Sequence, residues 1–206
     1  MKIIKPSYEI ISEVNGLKML RFIEFVGRKC YKSEDKITDY SSFKFVKSLI
    51  DNQHESVLEH EKISVLFICD RGISHEIVRH RLASFSQEST RYCNYSKGKF
   101  GNELTFIDIR PHVNDDMYES WLSSLLLIET YYFELLEKGA TPQIARDILP
   151  TSLKTELVVT ANLREWRTIF KQRTSQAAHP QMRELMQPLL DEIKTLVPIV
   201  FDDINY

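Results

Sequence analysis

Residues 153–173, LKTELVVTANLREWRTIFKQR, place a strand pattern directly before a helix pattern. The first part, Leu153 to Ala161, is short and rich in β-branched residues, which favours a strand. Asn162 follows at once, and asparagine is among the preferred residues for capping a helix N-terminus. The pattern therefore predicts a strand that passes directly into a helix, and that helix ends near Arg173.

The helix predicted after Asn162 has an apolar stripe that ends on an arginine. The stripe consists of Leu163, Trp166, Ile169 or Phe170, and Arg173. Arg173 therefore points toward the core side, where an unpaired guanidinium is costly. We expect it to meet an acid, a ligand anion, or solvent at the helix end. The alternative is a C-terminal arginine that only interacts with the helix dipole.

Patterns on both sides of this segment predict further elements. Residues 61–70, EKISVLFICD, are typical of a second strand. Helical spacing predicts helices at Leu17 to Cys30, from Asp39 through Ile50, through Ile77 and Val78, at Asp115 to Lys138, from Thr141 to Pro150, and at Met182 to Leu196. Strands separated by helices, without a βαβ fingerprint, predict the α+β class. Since no repeat or linker divides the chain, we expect a single domain over residues 1–206, with Ser96 to Asn102 as an internal loop.

Composition narrows the classes of function. The chain has 27 basic and 29 acidic residues, a net charge of −2, so a general nucleic-acid coat is not expected. No run of about 18 apolar residues occurs, which excludes a membrane-spanning helix. The three cysteines, Cys30, Cys69 and Cys93, are far apart and suit free thiols in a reducing compartment. We expect a cytoplasmic protein.

The arginines are unevenly distributed. Residues 1–70 hold eleven basic side chains, two of them arginine, whereas residues 71–206 hold sixteen, ten of them arginine. Arginine binds phosphate or carboxylate through two parallel hydrogen bonds and stays charged when partly buried. This favours a ligand that carries an oxyanion, and the alternative is a set of weak ion pairs on helix surfaces.

The segment RHRLASFSQESTRY, residues 79–92, is unusually polar. It combines three arginines and a histidine with several hydroxyl side chains, glutamine and glutamate. Such a set suits a dianionic phosphate together with a polar ring. The alternative is a solvated loop without function.

This segment also carries a family motif. Arg79-His80-Arg81, seven residues, and then Ser89 resemble the RHRx7S signature of the flavin-dependent thymidylate synthases. Further segments resemble that family in the same order along the chain: residues 54–60 (HESVLEH), Arg146-x-x-Leu149-Pro150, and Asn162-x-Arg164 through Arg173. The resemblance therefore covers most of the chain.

The resemblance implies an activity and its cofactors. The reaction is the methylation of dUMP to dTMP, with 5,10-methylenetetrahydrofolate as carbon donor, NADPH as reductant and FAD as hydride relay. It also implies a homotetramer whose active sites are shared between subunits. The fold that we then expect has a central, mostly antiparallel sheet flanked by helices, one of them long.

The resemblance assigns residues by position. The FAD-binding residues are His54, Ser56, Glu59, Arg79, His80, Arg81, Gln87, Asn162, Arg164 and Thr168. The dUMP-binding residues are Glu76, Arg79, Gln87, Glu88, Ser89, Thr90, Arg91, Arg146 and Arg173. His54 is placed beside the flavin ring, where it either tunes the flavin or only closes the pocket.

The chemistry narrows the catalytic assignment to Arg173. Uracil C5 is a poor nucleophile, so the ring needs either covalent addition at C6 or ionisation at N3. Cys93 has no evident group that lowers its pKa, and Ser89 has no strong base beside it in sequence, so we interpret Ser89 as a binding hydroxyl. A desolvated Arg173 against the N3–O edge would stabilise the anion instead.

No metal site is predicted. The pairs His54/His60 and His75/His80 are six and five residues apart, and neither has the i, i+4 spacing of a helical zinc site. The absence of G-x-G-x-x-G in a chain with 6 glycines also excludes a Rossmann-type flavin site.

Two other functions stay open at this stage. Residues 79–100 include interleaved basic and aromatic side chains, which would suit a nucleotide- or RNA-binding protein without catalysis. A purely structural oligomer would use the long helix at Asp115 to Lys138, but it leaves the polar segment unexplained.

Overall fold

The computed structural model describes residues 1–98 and 101–206. Its strands are β1 (Lys2–Ile4), β2 (Ser7–Ile10), β3 (Lys62–Asp70), β4 (Ala83–Gln87), β5 (Thr105–Ile107) and β6 (Lys154–Asn162). Its helices are α1 (Gly16–Lys29), α2 (Ser41–Asp51), α3 (Arg71–Ile77), α4 (Asp115–Glu137), α5 (Pro142–Ala145), α6 (Leu163–Arg173) and α7 (Pro180–Leu196). The α+β class is confirmed.

The strands form two sheets. The larger is antiparallel and has the order β2-β3-β6-β4, and the smaller pairs β1 with β5 in parallel. In the smaller sheet Ile3 lies opposite Phe106. In the larger sheet the hydroxyls of Ser64 and Thr160 are 2.7 Å apart on adjacent strands.

The described chain divides into two compact units. Unit 1 consists of Met1–Ser7, Phe67–Arg79 and Phe85–Val158. Unit 2 consists of Tyr8–Leu66, His80–Ser84 and Val159–Tyr206. Each unit has its own buried side chains, and each contains part of the predicted site.

The core of unit 1 is packed against α4. Tyr118, Leu125 and Tyr132 are seven residues apart, so they lie along one line of the helix, and all three are buried. Leu125 and Tyr132 pack with Leu104 and Phe106 in one apolar cluster. Asn114 caps α4 by accepting a hydrogen bond from the backbone of Met117.

The core of unit 2 is packed around α6. Trp166 and Phe170 stack with ring centroids 5.4 Å apart, and both are fully buried. The Trp166 indole donates a hydrogen bond to the Ile63 carbonyl at 3.0 Å. Asn162 accepts from the backbone of Glu165 at 2.8 Å, which confirms the predicted N-cap.

One glycine of unit 2 is required by a close backbone approach. A Cβ atom added to Gly16, the first residue of α1, would lie 2.0 Å from the Leu196 carbonyl oxygen. That distance is impossible for a carbon atom, so only glycine fits at this position.

Several elements differ from the prediction. The strands β1, β2, β4 and β5 were not predicted, because each has five residues or fewer and β4 is largely polar. The helix expected through Ile77 and Val78 begins at Arg71, where Asp70 caps it, and ends at Ile77. Part of the predicted loop from Ser96 to Asn102, namely Lys99 and Phe100, lies outside the described residues.

Candidate functional site

The last part of the polar segment, from Phe85 in β4 into the turn after that strand, lies in unit 1. Gln87 is the last residue of β4, and its amide donates to Ser74 Oγ at 2.8 Å and to Thr155 Oγ1 at 3.2 Å. Thr155 is fully buried, as is Ser74. Because both partners are neutral hydroxyls on rigid elements, they hold the Gln87 amide in one orientation.

Glu88 is held by a second network in unit 1. Its carboxylate accepts from the Tyr95 hydroxyl at 2.8 Å and from Lys154 Nζ at 3.1 Å. Burial and the neighbouring Glu88 raise the pKa of Tyr95, so the phenol keeps its proton and donates. These residues line a pocket of about 290 Å³ together with Lys2 and others.

The next residues form a tight turn. The Ser89 carbonyl accepts from the backbone N–H groups of Tyr92 and Cys93, and its hydroxyl accepts from the Arg91 N–H. The Arg91 guanidinium donates twice to Gln143 Oε1, at 3.2 and 3.1 Å. Gln143 lies on α5, three residues before Arg146, which is half-buried in the turn that follows.

Three other predicted dUMP-binding residues of unit 1, Thr90, Glu76 and Arg79, differ in their exposure to solvent. Thr90 is buried in unit 1. Glu76 is half-buried on α3, and Arg79 is exposed two residues beyond that helix. The structure thus brings Gln87 to Arg91 together in unit 1 and places Arg173 in unit 2.

In unit 2, three of the ten predicted FAD-binding residues line a pocket of about 330 Å³. His54, Ser56 and Arg164 line it, together with backbone and side chains of α1 and α2. Glu59 does not line this pocket but forms an exposed ion pair with Arg164 at 2.6 Å. A second pocket of about 600 Å³ shares Gln53, Glu55 and Arg164 with the first.

The other predicted FAD-binding residues of unit 2 do not line this pocket. Arg81 and Thr168 are exposed, and the Thr168 hydroxyl donates to the Arg164 carbonyl at 3.4 Å. Asn162 uses its side-chain oxygen to cap α6. His80 differs from its neighbours in the motif because it is buried, whereas Arg79 and Arg81 are exposed.

His80 contacts the predicted catalytic residue. Arg173 Nε donates to His80 Nε2 at 3.0 Å, and Glu165 Oε1 lies 3.3 Å from His80 Nδ1. Burial and the Arg173 charge lower the pKa of His80 to about 4, so the ring is neutral at pH 7. The sequence had suggested an acid, an anion or solvent as the partner of Arg173, and the structure shows a neutral histidine among its partners.

The structure also buries Arg167 of α6, which was not predicted. Arg167 is 1% exposed and lies between Glu55, at 3.0 Å, and Asp203, at 2.6 Å. It also donates to the Val200 carbonyl. The only sequence signal was an arginine next to Trp166 on the apolar side of the helix, and nothing in the sequence pointed to Asp203.

Other expectations concern cysteines, metals and membranes. Cys69 is buried, which raises the pKa of its thiol to about 12, whereas Cys30 is exposed and Cys93 is half-buried. Within residues 1–98 and 101–206, no group of three or more candidate ligands is placed to hold a metal ion. None of the helices among the described residues is both long and apolar enough to cross a membrane. The segment proposed for RNA binding includes Lys99 and Phe100, outside the described part.

Comparison with known families gives a match over most of the chain. The family model described as "Thymidylate synthase complementing protein" matches residues 15–199. Two proteins named flavin-dependent thymidylate synthase are similar in sequence. The one from Pyrococcus furiosus is 31% identical over 83% of this chain and 70% of its own length. The one from Corynebacterium aurimucosum is 33% identical over 89% of this chain and 79% of its own length.

Solved structures share the fold. A flavin-dependent thymidylate synthase from Helicobacter pylori, complexed with FAD and dUMP, superposes with a TM-score of 0.76 at 22% identity. The alignment covers 98% of this chain and all of that one. The UMP/dUMP methylase PolB from Streptomyces cacaoi, bound with 5-Br dUMP, gives a TM-score of 0.78 at 19% identity, over 98% and 96% of the two chains.

Proposed function

The chain belongs to the flavin-dependent thymidylate synthases, and from that premise we propose how its residues carry out the reaction. It forms dTMP from dUMP, takes the carbon from 5,10-methylenetetrahydrofolate, and uses NADPH to reduce a bound FAD. Residues 1–206 act as a single catalytic domain, which the family match across segments of both units supports. All three cysteines are thiols, which suits a cytoplasmic location, where thiols stay reduced.

The residues of unit 2 fit a flavin. The pocket of about 330 Å³ offers an imidazole, a hydroxyl and a guanidinium from His54, Ser56 and Arg164, alongside apolar Leu49 and Val57. That mixture suits a flat, partly polar ring system. His54, Ser56 and Arg164 would hold FAD there, and the flavin would supply hydride transfer from NADPH to the methylene carbon. Glu59 orients Arg164 through their ion pair.

The exposed motif arginines complete the FAD-binding set. Arg79 and Arg81 present cations that suit the two phosphates of FAD. Asn162, at the N-cap of α6, and Thr168, in its second turn, are further FAD-binding residues. Gln87 and His80 are the last two residues that the family resemblance assigns to FAD. Asn162 must then serve as helix cap and as ligand, through different atoms.

The residues of unit 1 fit a nucleotide monophosphate. Ser89 offers a hydroxyl, and Arg91 and Arg146 offer guanidinium groups, which together suit the dianionic phosphate of dUMP. Arg79, Glu76 and Thr90 complete the nucleotide-binding set. Gln87 and Glu88 are held rigidly by their networks, which favours a fixed orientation of the polar uracil ring.

The placement of Arg173 carries the mechanistic part of the proposal. Its guanidinium is half-buried, and its Nε is bound to a neutral imidazole. A cation held against the N3–O edge of uracil stabilises the negative charge that develops when N3 loses its proton, and this raises the electron density at C5. Ser89 binds the nucleotide and does not attack C6.

The active sites are shared between subunits of a homotetramer. Helix α4 supports self-association, because Leu126, Leu127 and Tyr131 are each more than half exposed on it. Such an apolar surface is unusual on a monomer and typical of an interface. Analytical ultracentrifugation at the assay concentration tests the tetramer.

The proposed function is tested by the visible absorption spectrum of the purified protein with FAD. Anaerobic addition of NADPH should bleach the flavin band, and dUMP should change the rate of bleaching. dTMP formation after addition of the folate completes the test. A protein that neither retains nor reduces FAD would contradict the proposal.

The role of Arg173 is tested by Arg173→Ala. Loss of a preorganised charge-stabilising donor lowers kcat by about 100- to 1,000-fold. Flavin content should stay normal, and dUMP binding should weaken less than kcat falls. Near-normal dTMP formation by this variant would show that another group stabilises the anion.

A further inference from the structure

Helix α6 has a carboxylate in its first turn and a guanidinium in its last turn, and both approach the same buried histidine. Glu165 Oε1 lies 3.3 Å from His80 Nδ1, and Arg173 Nε donates to His80 Nε2 at 3.0 Å. His80 is 6% exposed and Glu165 is 7% exposed. The three groups therefore form a row in unit 2, in which His80 and Glu165 are buried and Arg173 is half-buried.

The hydrogen bond from Arg173 determines the tautomer of His80. An N–H donor requires a lone pair on its acceptor, so Nε2 carries no proton. The ring is neutral and its one proton is on Nδ1, which faces Glu165. A carboxylate at this place favours the Nδ1–H tautomer over the alternative, in which Nδ1 would present a lone pair to a negative charge.

The position of Glu165 follows from the start of the helix. Asn162 accepts a hydrogen bond from the Glu165 backbone, which places Glu165 in the first turn, where the helix dipole favours a negative charge. Arg173 is eight residues further along, a rise of about 12 Å. The long Arg173 side chain leans back toward the N-terminus of the helix, which shortens the gap to Glu165, and the His80 ring lies between the two groups.

We propose that Glu165 is a positioning residue for Arg173, and that it acts through the tautomer of His80. Glu165 holds the proton on Nδ1, Nε2 then accepts from Arg173 Nε, and this contact sets the plane of the guanidinium. The inference rests on the proposed role of Arg173 at the uracil ring. It also gives His80 a function toward Arg173 in addition to any contact with FAD.

The substitution Glu165→Gln separates the tautomer effect from loss of bulk. The glutamine amide removes the negative charge that favours Nδ1–H and offers an NH2 donor to a lone pair on Nδ1, so the ring proton shifts toward Nε2. Two N–H groups would face each other between His80 and Arg173, so the guanidinium must turn away. A serine protease triad shows the same logic when its aspartate is replaced by asparagine.

The first experiment measures the tautomer directly and needs no activity. Protein labelled with ¹⁵N-histidine is examined by NMR at pH 7, and the His80 signals are assigned by their loss in His80→Gln. We expect the Nδ1–H form in the wild type and a shift toward Nε2–H in Glu165→Gln. The control is Glu61→Gln, which removes a half-buried carboxyl of unit 2 whose pKa is also raised by burial.

The second experiment measures kinetics. For Glu165→Gln we expect kcat to fall by about 10- to 100-fold, as is typical when a supporting hydrogen-bond partner is removed. Flavin content and the KM for dUMP should stay within about twofold. In an Arg173→Lys background the same substitution should change kcat by less than about twofold, because the group that it positions is already altered. Glu61→Gln should behave as the wild type does.

Three results would overturn the inference. They are an Nε2–H ring in the wild type, an unchanged kcat in Glu165→Gln, or an equal fold-loss in the Arg173→Lys background. If Glu165→Gln does not fold, Glu165→Asp replaces it, with the charge retained one methylene further away and a smaller loss of kcat expected. If the wild type forms no dTMP, the proposed function fails, while the NMR result still decides whether Glu165 controls the tautomer.

Discussion

The two units hold their functional side chains by different means. In unit 1, Gln87 is oriented by two neutral hydroxyls, those of Ser74 and Thr155. In unit 2, the side chains that are held in place are charged. Arg167 lies between two carboxylates, and Arg173 donates a hydrogen bond to His80. Removing one partner lowers the free energy of unfolding much less for a neutral hydrogen bond than for a buried ion pair.

This difference predicts where each unit is vulnerable. Loss of one neutral partner costs about 1 kcal/mol when the remaining group keeps another hydrogen bond. Loss of one partner from a buried ion pair costs about 3–5 kcal/mol, because an uncompensated charge stays behind. Unit 2 should therefore be the more sensitive to substitution, and unit 1 the more tolerant.

The largest effect is expected for Arg167→Ala. The substitution removes a fully buried side chain together with its hydrogen bonds to the half-buried Glu55, the exposed Asp203 and the Val200 carbonyl, so the free energy of unfolding should fall by about 4 kcal/mol. Urea denaturation measures it.

The matched control is Arg164→Ala, on the same helix. Arg164 also pairs with an acid of the 55–60 turn, Glu59, but both side chains are about half exposed. Exposed pairs contribute about 0–1 kcal/mol, so this variant should unfold almost as the wild type does. Equal losses for the two variants would remove the distinction between the units.

His80 should make the free energy of unfolding depend on pH, by about 3 kcal/mol in total. Its pKa is about 4 in the folded chain, against the ordinary histidine value of 6.5 in the unfolded chain, and Glu165 and Arg173 face the ring. Between pH 6.5 and 4 the unfolded chain binds the proton first, so stability falls as the pH is lowered through that range. The full shift corresponds to about 3 kcal/mol.

Urea titrations at several pH values test this effect. The variant His80→Asn should lose this part of the slope, whereas replacement of the exposed His60 by asparagine should retain it. An unchanged slope in His80→Asn would mean that the imidazole is solvated and titrates as in the unfolded chain.

The local patterns of the sequence predicted the long elements well. The predicted strand after Leu153 and the helix capped by Asn162 are present within one residue, and α4 begins at the predicted Asp115. These elements have caps and periodic apolar residues that are encoded within a few positions. The family motif placed candidate binding residues at 79–91, and their binding roles stay predictions.

The partners of the buried charges could not be predicted in the same way. His80 is 85 positions from Glu165 and 93 from Arg173, and Asp203 is 36 from Arg167. Such contacts depend on which elements become neighbours, and no local pattern encodes that. The short strands were missed for a related reason, since β1 pairs with β5, about a hundred residues away.

The smallest effect is expected in unit 1, for Thr155→Val. The substitution keeps the shape of a fully buried side chain but removes the hydroxyl that accepts from Gln87 at 3.2 Å and from Arg71 at 3.4 Å. Gln87 keeps Ser74 at 2.8 Å, and Arg71 keeps the Glu88 carbonyl, so neither donor is stranded. We expect a loss of about 1 kcal/mol in urea denaturation.

Thr155→Ser is the counterpart that keeps the hydroxyl and removes a methyl group. If neutral hydrogen bonds are what orient Gln87, then Thr155→Val should raise the KM for dUMP more than Thr155→Ser does, although the serine variant loses buried apolar surface. If the free energy of unfolding of Thr155→Val fell by about 3 kcal/mol or more, losing one buried hydroxyl in unit 1 would cost as much stability as losing one partner of a buried ion pair in unit 2. Burial, and not charge, would then decide the cost of a lost partner in both units.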